Sequence, residues 1–138
     1  MTRTINIEHN GEAYTGEIAT IESTRLGYQD HGILTADLTL RWGSSGISVG
    51  GYALDRPTAA HDGSRGREGT AFGLDQIIQI LSTVGVSRWE DLKGKQLIVL
   101  FDGDGGWGTI AVGIASTTDE DRILIFKQHA ASWKERTA

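Results

Sequence analysis

The chain has no cysteine, one proline and no long hydrophobic run, and each absence excludes a class of protein. Without cysteine there are no disulfides, thiolate metal sites or cysteine nucleophiles. No run of about 18 apolar residues is present, so we expect no membrane span. The region from Met1 to Asn10 lacks the apolar segment of a signal peptide, so we expect a cytoplasmic protein.

Basic residues are also scarce: 13 Lys and Arg stand against 18 Asp and Glu, for a formal net charge of -5. General nucleic-acid binding depends mainly on neutralising phosphates with Lys and Arg, so this balance argues against it. The length of 138 residues suits one domain spanning residues 1–138.

Alternating apolar residues and glycine-containing turns predict mostly strands. In Ile33–Trp42 the even-numbered residues are apolar and the odd-numbered ones after Ile33 are polar, a pattern typical of a half-buried antiparallel strand. Turns are predicted at Asn10-Gly11, Gln29–Gly32 and Gly43–Gly46. The predicted strands are Thr4–Glu8, Tyr14–Arg25, Ile33–Trp42, Ile47–Leu54, Gln96–Phe101, Thr109–Ala115 and Ile123–Phe126.

Helical spacing of apolar residues predicts one amphipathic helix at residues 73–84, followed by Gly85 as the terminating residue. Its core-facing residues are predicted to be Leu74, Ile77, Ile78, Leu81 and Val84. The predicted fold class is therefore α+β: a curved, mainly antiparallel sheet of six or seven short strands packed on this helix. The polar tail at 127–138 is expected to be frayed or a single helical turn.

The segment 55–70 is predicted to be a long exposed loop that is either functional or disordered. Its arginines could bind an anion together with aromatic and glycine-rich backbone at the adjacent sheet end. The predicted ligand-binding residues are Trp42, Ser44, Ser45, Tyr52, Arg56, Arg65, Arg67 and Trp107. Solvated loop charge is the more common explanation of such arginines, and an oligomer contact explains the convergence of aromatic, glycine and arginine residues equally well.

No catalytic or metal-binding motif is present. The segment Asp102–Gly108 lacks the glycine and glutamate positions of a calcium-binding EF-hand and the Lys-Ser/Thr of a phosphate-binding loop. It is best interpreted as a hairpin turn with Trp107 folded onto the sheet. The four histidines are widely separated, so we expect no metal site, no cofactor and no enzymatic activity.

Several short segments together resemble a group of small bacteriophage proteins that has no established activity. The segments are Asp30–Ile33, Gly50–Asp55, Gly69–Gly73, Val84–Val86, Trp89-Glu90 and Leu92–Lys95, and the resemblance covers roughly residues 16–115. It implies a viral accessory role in the host bacterial cytoplasm, directed against host defence.

Two functions from different classes follow from these observations. The first is a non-enzymatic binder that sequesters a small anionic, nucleotide-derived defence signal, in a pocket formed by the loops and shared across subunits of a homo-oligomer. The second is a protein-interaction module that blocks a host defence protein or serves a phage component.

Overall fold

The computed structural model of the chain describes residues 5–58, 66–102 and 110–137. Its strands are β1 (Ile5–His9), β2 (Glu12–Asp30), β3 (Ile33–Trp42), β4 (Ser45–Ala53), β5 (Asp55–Pro57), β6 (Arg67–Gly69), β7 (Gln96–Asp102), β8 (Ala111–Ala115) and β9 (Ile123–Ile125). Its helices are α1 (Ala71–Val84), α2 (Phe126–Thr137) and a 3-10 turn at Trp89–Asp91. In these described ranges, no helix is both long enough and apolar enough to cross a membrane.

Seven strands form one antiparallel sheet in the order β4-β3-β2-β7-β8-β9, with β1 paired to the first part of β2. The long β2 organises this sheet, because it pairs with β1, β3 and β7 along its length. Strands β5 and β6 form a separate two-stranded hairpin. The predicted α+β class, with six or seven strands and a packed helix, is confirmed.

The predicted turns between the first strands are confirmed by their backbone angles. Asn10 and Gly11 have φ of 51° and 79°, and His31 and Gly32 have φ of 53° and 80°. Two consecutive residues with positive φ make the tight hairpin turn that matches the twist of antiparallel strands. The sequence therefore defines the β1–β2 and β2–β3 connections locally.

The main core lies between one face of the sheet, α1 and the start of α2. Its buried members are Ala19, Ile21, Leu38, Leu40, Val49, Ile80, Leu92, Leu97, Val99, Phe101, Ile114, Leu124 and Phe126. In β3, Leu38 and Leu40 are fully buried while Arg41 is exposed, so the predicted alternation is confirmed. A smaller cluster of Tyr14, Leu100, Ala115 and Ile125 covers part of the opposite face.

Helix α1 forms where predicted but is rotated from the predicted orientation. Thr70 caps its first turn, accepting a hydrogen bond from the Gly73 amide, and Gly85 ends it with φ of 91°. Its buried residues are Gly73, Gln76, Ile80 and Thr83. The predicted core face is therefore right only in part: Leu81 and Val84 pack against the main core, but Leu74 is 64% exposed and Ile78 is 48% exposed.

Gly73 explains this rotation. The backbone of α1 at Gly73 lies directly against Leu54, and a Cβ atom at Gly73 would come within 2.6 Å of the Leu54 Cα atom and closer still to its carbonyl oxygen. The same carbonyl accepts hydrogen bonds from the backbone amide and the hydroxyl of Thr70. A residue without a side chain therefore faces Leu54, in the connection between β4 and β5, while Ile80 enters the core and Leu74 and Ile78 are left exposed.

Two predicted irregular segments contain regular structure. The predicted loop at 55–70 includes the β5–β6 hairpin, in which Asp55 pairs with Gly69. The tail at 127–138 was expected to be frayed or one helical turn, but Phe126–Thr137 forms a helix of 12 residues. The last strand correspondingly ends at Ile125, because Phe126 begins α2 and is buried in the main core.

We expect Gly73→Ala to lower the free energy of unfolding by about 3 kcal/mol, because the added methyl group collides with the Leu54 backbone. This loss should outweigh the better helix propensity of alanine, which is worth about 1 kcal/mol. Gly27→Ala is the control, since a Cβ atom there meets nothing within 4 Å. Urea denaturation of both variants tests the prediction, and equal stabilities would contradict it.

Candidate functional site

A groove of about 440 Å³ lies between the start of α1 and one side of α2. It is lined by Ala71, Phe72, Lys127, Ala130, Ala131, Trp133 and Lys134. Alanines and two aromatic rings form its apolar surface, and both lysines are exposed. Among the described residues that line it, two are cationic and none is anionic. The groove therefore combines an apolar wall with positive charge.

A polar network behind the groove joins the two helices. The Asp75 carboxylate accepts hydrogen bonds from Nε2 of His129 at 2.7 Å and from Nε1 of Trp133 at 2.9 Å. The other ring nitrogen of His129, Nδ1, lies 2.9 Å from Oε1 of buried Gln76. These bonds fix the side of α2 that faces α1 and hold the Trp133 ring at the groove wall.

The contact with Gln76 occupies the second ring nitrogen of His129. With Oε1 of Gln76 facing Nδ1, Nε2 of Gln76 is buried without a partner among the described residues. If the amide is reversed, its NH₂ group faces Nδ1 instead. Either arrangement commits both ring nitrogens of His129 to protein groups.

Asp75 is the anionic centre of this network. The hydrogen bond from His129 holds the pKa of the Asp75 carboxyl below its ordinary value, and the bonds from Trp133 and Gln79 act in the same direction, while partial burial opposes them. The carboxylate therefore stays ionised, because its donors stabilise the charged form.

Stacked rings connect the groove to the end of β4. Tyr52 stacks on Phe126 with ring centroids 6.1 Å apart and tilts against Phe72 at 6.3 Å. Phe72 in turn lies 5.2 Å from the His129 ring. Of the predicted site residues, Tyr52 is thus the one that the structure links to this groove.

Trp42, Ser44 and Ser45 lie at the other end of β4, so the predicted convergence of Trp42 and Tyr52 around one turn is wrong. Ser45 pairs with Trp42, whereas Ala53, next to Tyr52, pairs with Thr35. Tyr52 is seven positions further along β4 than Ser45, a distance of about 20 Å. Trp42 packs edge-on against Phe101, at a centroid distance of 5.7 Å, and contributes to the core.

Arg67 and Arg56 are held by carboxylates within the β5–β6 hairpin. Arg67 makes a two-pronged bond to Asp55, with Nε–Oδ2 of 2.8 Å and Nη2–Oδ1 of 2.9 Å. The Asp55 side chain is only 2% exposed and the Arg67 side chain 27%. Arg56 pairs with exposed Glu68 at 2.9 Å. Both arginines therefore have a structural partner, while the predicted residues Arg65 and Trp107 lie outside the described residues.

The sequence prediction missed the groove residues on α2. Lys127, Trp133 and Lys134 fall in the tail that is predicted to be frayed or a single helical turn, a segment for which the sequence predicts no site. The signal that could have found them is the helical spacing of Phe126, His129 and Trp133, at i, i+3 and i+7. Its low hydrophobicity made this helix hard to detect.

In the part of the chain that the structure describes, no group of three or more His, Cys, Asp or Glu side chains is arranged to hold a metal ion. Comparison with known proteins finds no matching protein-family model, no matching curated protein and no matching solved structure.

Acidification should destabilise the fold through Asp55. The hydrogen bond from Arg67 holds the pKa of Asp55 below its ordinary value, opposed by burial. Asp55 therefore binds a proton at a higher pH in the unfolded chain than in the folded chain. Its contribution to the free energy of unfolding is complete at neutral pH and decreases as the pH falls from about 5 towards 3. Asp55→Asn should lower the melting temperature at pH 7 and flatten this decrease.

The matched control is Glu68→Gln, which removes the charge of the exposed partner of Arg56 in the same hairpin. It should leave the melting temperature at pH 7 and its decrease on acidification nearly unchanged. Melting temperatures measured by circular dichroism from pH 3 to 7 test this prediction. An Asp55→Asn profile parallel to that of the unmodified chain would refute it.

His129→Ala should lower the free energy of unfolding by about 2 kcal/mol, because it removes the principal hydrogen-bond donor to the ionised Asp75 carboxylate. His9→Ala is the control and should change it by less than about 0.5 kcal/mol, since its side-chain bond is to the neighbouring residue Asn10. Urea denaturation followed by circular dichroism measures both. Equal effects would show that the network does not join the helices.

Proposed function

We propose that this chain is a non-enzymatic binding protein that sequesters a small anionic ligand with a planar apolar part, such as a nucleotide-derived signal. The groove between α1 and α2 is the proposed site. The observation that carries the proposal is the pairing of an aromatic wall, Phe72 and Trp133, with two exposed lysines, Lys127 and Lys134, on a chain of net charge -5.

Each part of the groove fits one part of such a ligand. A base or similar ring gains apolar and stacking contact with the aromatic side chains. A phosphate or carboxylate gains charge-assisted hydrogen bonds from the lysines. Ala71 and Phe72 are the first two residues of α1, and their backbone amides have no intrahelical acceptor and favour an anion, while the next amide, of Gly73, is already bonded to the Thr70 side chain. The volume of about 440 Å³ is in the range of small-molecule sites.

The geometry around His129 supports binding rather than catalysis. Both ring nitrogens of this histidine are bonded to Asp75 and Gln76. A general base needs a ring nitrogen within hydrogen-bond reach of the ligand. In the proposed function His129 therefore orients Trp133 through their shared partner Asp75.

The resemblance to bacteriophage proteins supplies the biological setting of the proposal. A phage-encoded binder that removes a nucleotide-derived defence signal would protect the infecting phage. The host bacterial cytoplasm is then the place of action, and the ligand would be held intact rather than converted.

A thermal-shift screen against mono-, di- and cyclic nucleotides and NAD-derived compounds tests the proposed function. One ligand class should raise the melting temperature by several degrees, since a ligand at one hundred times its dissociation constant adds about 2.7 kcal/mol to stability. The double variant Lys127→Glu/Lys134→Glu should raise the dissociation constant of that ligand roughly tenfold or more, because the attraction between the lysines and the anion becomes repulsion. The ligand should be recovered chemically unchanged after heat denaturation.

The control is Lys93→Glu/Lys95→Glu, which makes the same change in net charge at two exposed lysines outside the groove. If both double variants lose binding equally, the effect is one of overall charge and the groove is not the site. Conversion of the ligand would contradict a non-enzymatic function.

A second candidate function, a protein-interaction module, is favoured by an acidic groove on the other face of the sheet. Ile98, Ala115 and Ile123 lie side by side in neighbouring strands and form its apolar floor. Its acidic residues are Glu8, Asp119, Glu120 and Asp121, and no described lining residue is cationic. This groove suits a basic, partly apolar segment of another protein. A screen in which no nucleotide raises the melting temperature would favour this second candidate function.

A further inference from the structure

Strand β1 is an open edge of the large sheet. It pairs with β2 from Ile5 opposite Gly16 to His9 opposite Glu12, without a register shift. Among the described residues, its backbone makes no hydrogen bond to any other element. A regular strand edge of this kind exposes amide and carbonyl groups with which an additional strand can pair.

The other two described edges of this sheet are protected against such pairing. Strand β4 is interrupted at Gly50 and Gly51, which both have positive φ, and its register with β3 shifts there. Strand β9 has only three residues and continues directly into α2. Bulges and very short strands are common ways to protect an edge. Strand β1 has five residues and no bulge, proline or lysine.

The edge of β1 borders the acidic groove, which has a volume of about 820 Å³. Asn6, Ile7 and Glu8 all line this groove. Side chains alternate between the two faces of a strand, so a strand that presents one face alone contributes every second residue. Three consecutive lining residues therefore indicate that the edge of β1, with its backbone groups, faces the groove.

The charge of the groove defines the chemistry of its occupant. Glu8, Glu120 and Asp121 are exposed and have no ion-pair partner in the described part of the chain. The remaining carboxylate, of Asp119, pairs with Arg122. Three carboxylates without counter-ions attract Lys and Arg and repel phosphate groups, so neither nucleic acid nor an anionic lipid surface fits this groove.

From these observations we infer that β1 binds an extended segment of another protein by strand addition, and that this segment alternates apolar and basic residues. The inference rests on the second candidate function, the protein-interaction module, and specifies how that module recognises its partner. Strand addition gives affinity through backbone hydrogen bonds and specificity through alternate side chains.

The sequence of β1 sets the alternation of the partner segment. Half-buried Ile5 and Ile7 alternate with exposed Asn6 and Glu8. Directly opposite residues of paired strands lie on the same face and contact each other. Apolar residues of the segment therefore lie opposite the isoleucines, and a basic residue lies opposite Glu8.

A second copy of this chain does not supply such a segment. The described edge strands of the large sheet, β1, β4 and β9, have the sequences INIEH, SGISVGGYA and ILI, which contain no Lys or Arg. The whole chain has a net charge of -5, so a copy brought to the groove adds like charge. The partner is therefore a different, basic protein.

Calorimetric titration with a synthetic peptide of alternating Lys and Val, KVKVKVK, tests this inference. The peptide should bind, and its counterpart with Glu in place of Lys should not. The backbone amides of an added strand point alternately towards β1 and away from it. N-methylation of the amides at one set of alternate positions should therefore raise Kd at least about tenfold, and N-methylation of the other set should change it little.

The outcomes separate the inference from the function on which it rests. Equal effects of the two N-methylation patterns would overturn strand addition and leave the groove as an interaction surface. A peptide that does not bind even at millimolar concentration would overturn both the inference and the second candidate function. The experiment uses no nucleotide, so its result does not depend on the proposed ligand groove between α1 and α2.

Charge reversal in the chain locates the peptide site. Glu8→Lys/Asp121→Lys should raise the Kd of the unmodified peptide at least about tenfold, because two carboxylates of the groove become cations. Glu90→Lys/Glu135→Lys is the matched control, with the same change in net charge at two exposed carboxylates outside the groove. Circular dichroism checks that each variant is folded, and equal effects of the two variants would overturn the inference.

Discussion

The contact between Gly73 and the backbone of Leu54 determines how the rest of the structure is arranged. The lack of a side chain at Gly73 lets α1 approach Leu54 more closely than any other residue would allow. The Leu54 carbonyl is also the acceptor for Thr70, the residue that caps α1. One point on the chain thus fixes both the start of the helix and its rotation.

The surfaces of α1 follow from this rotation. With Gly73 against the sheet, Ile80 enters the core, Asp75 faces α2, and Leu74 and Ile78 face solvent. The neighbouring residue Asp55 is buried and neutralised by Arg67, which secures the hairpin that leads into the helix. The side of α1 that meets α2 and the exposure of Leu74 and Ile78 are therefore both consistent with the close packing of Gly73 on Leu54.

The charge distribution separates the two faces of the molecule. Lys127 and Lys134 bring positive charge to the groove on α2 of an otherwise acidic chain. The carboxylates of Asp119, Glu120 and Asp121 gather in the turn before β9, beside the outer face of the sheet. Net charge alone would argue against an anionic ligand, whereas the local arrangement supports one in the proposed function.

Much of the fold was predictable because its determinants are local. Alternating side chains in β3, positive φ at Asn10-Gly11 and the glycine after α1 each act over a few residues. The site was less predictable. Of the eight predicted residues, Tyr52 alone has a described link to the groove; Arg67 and Arg56 pair with carboxylates, and Trp42 supports the core.

The sequence by itself determined the fold class, most strands, the main helix and the exclusion of cysteine chemistry, because periodicity, turn residues and composition are properties of the chain. Only the tertiary structure decided which face of α1 is buried and which side chains meet across α2. Both depend on contacts between residues that are not neighbours in the sequence: Gly73 lies against Leu54, and Asp75 bonds to His129, 54 positions further along the chain. Apolar spacing shows that a helix has two faces, but the partner against which it packs decides which face lies inside.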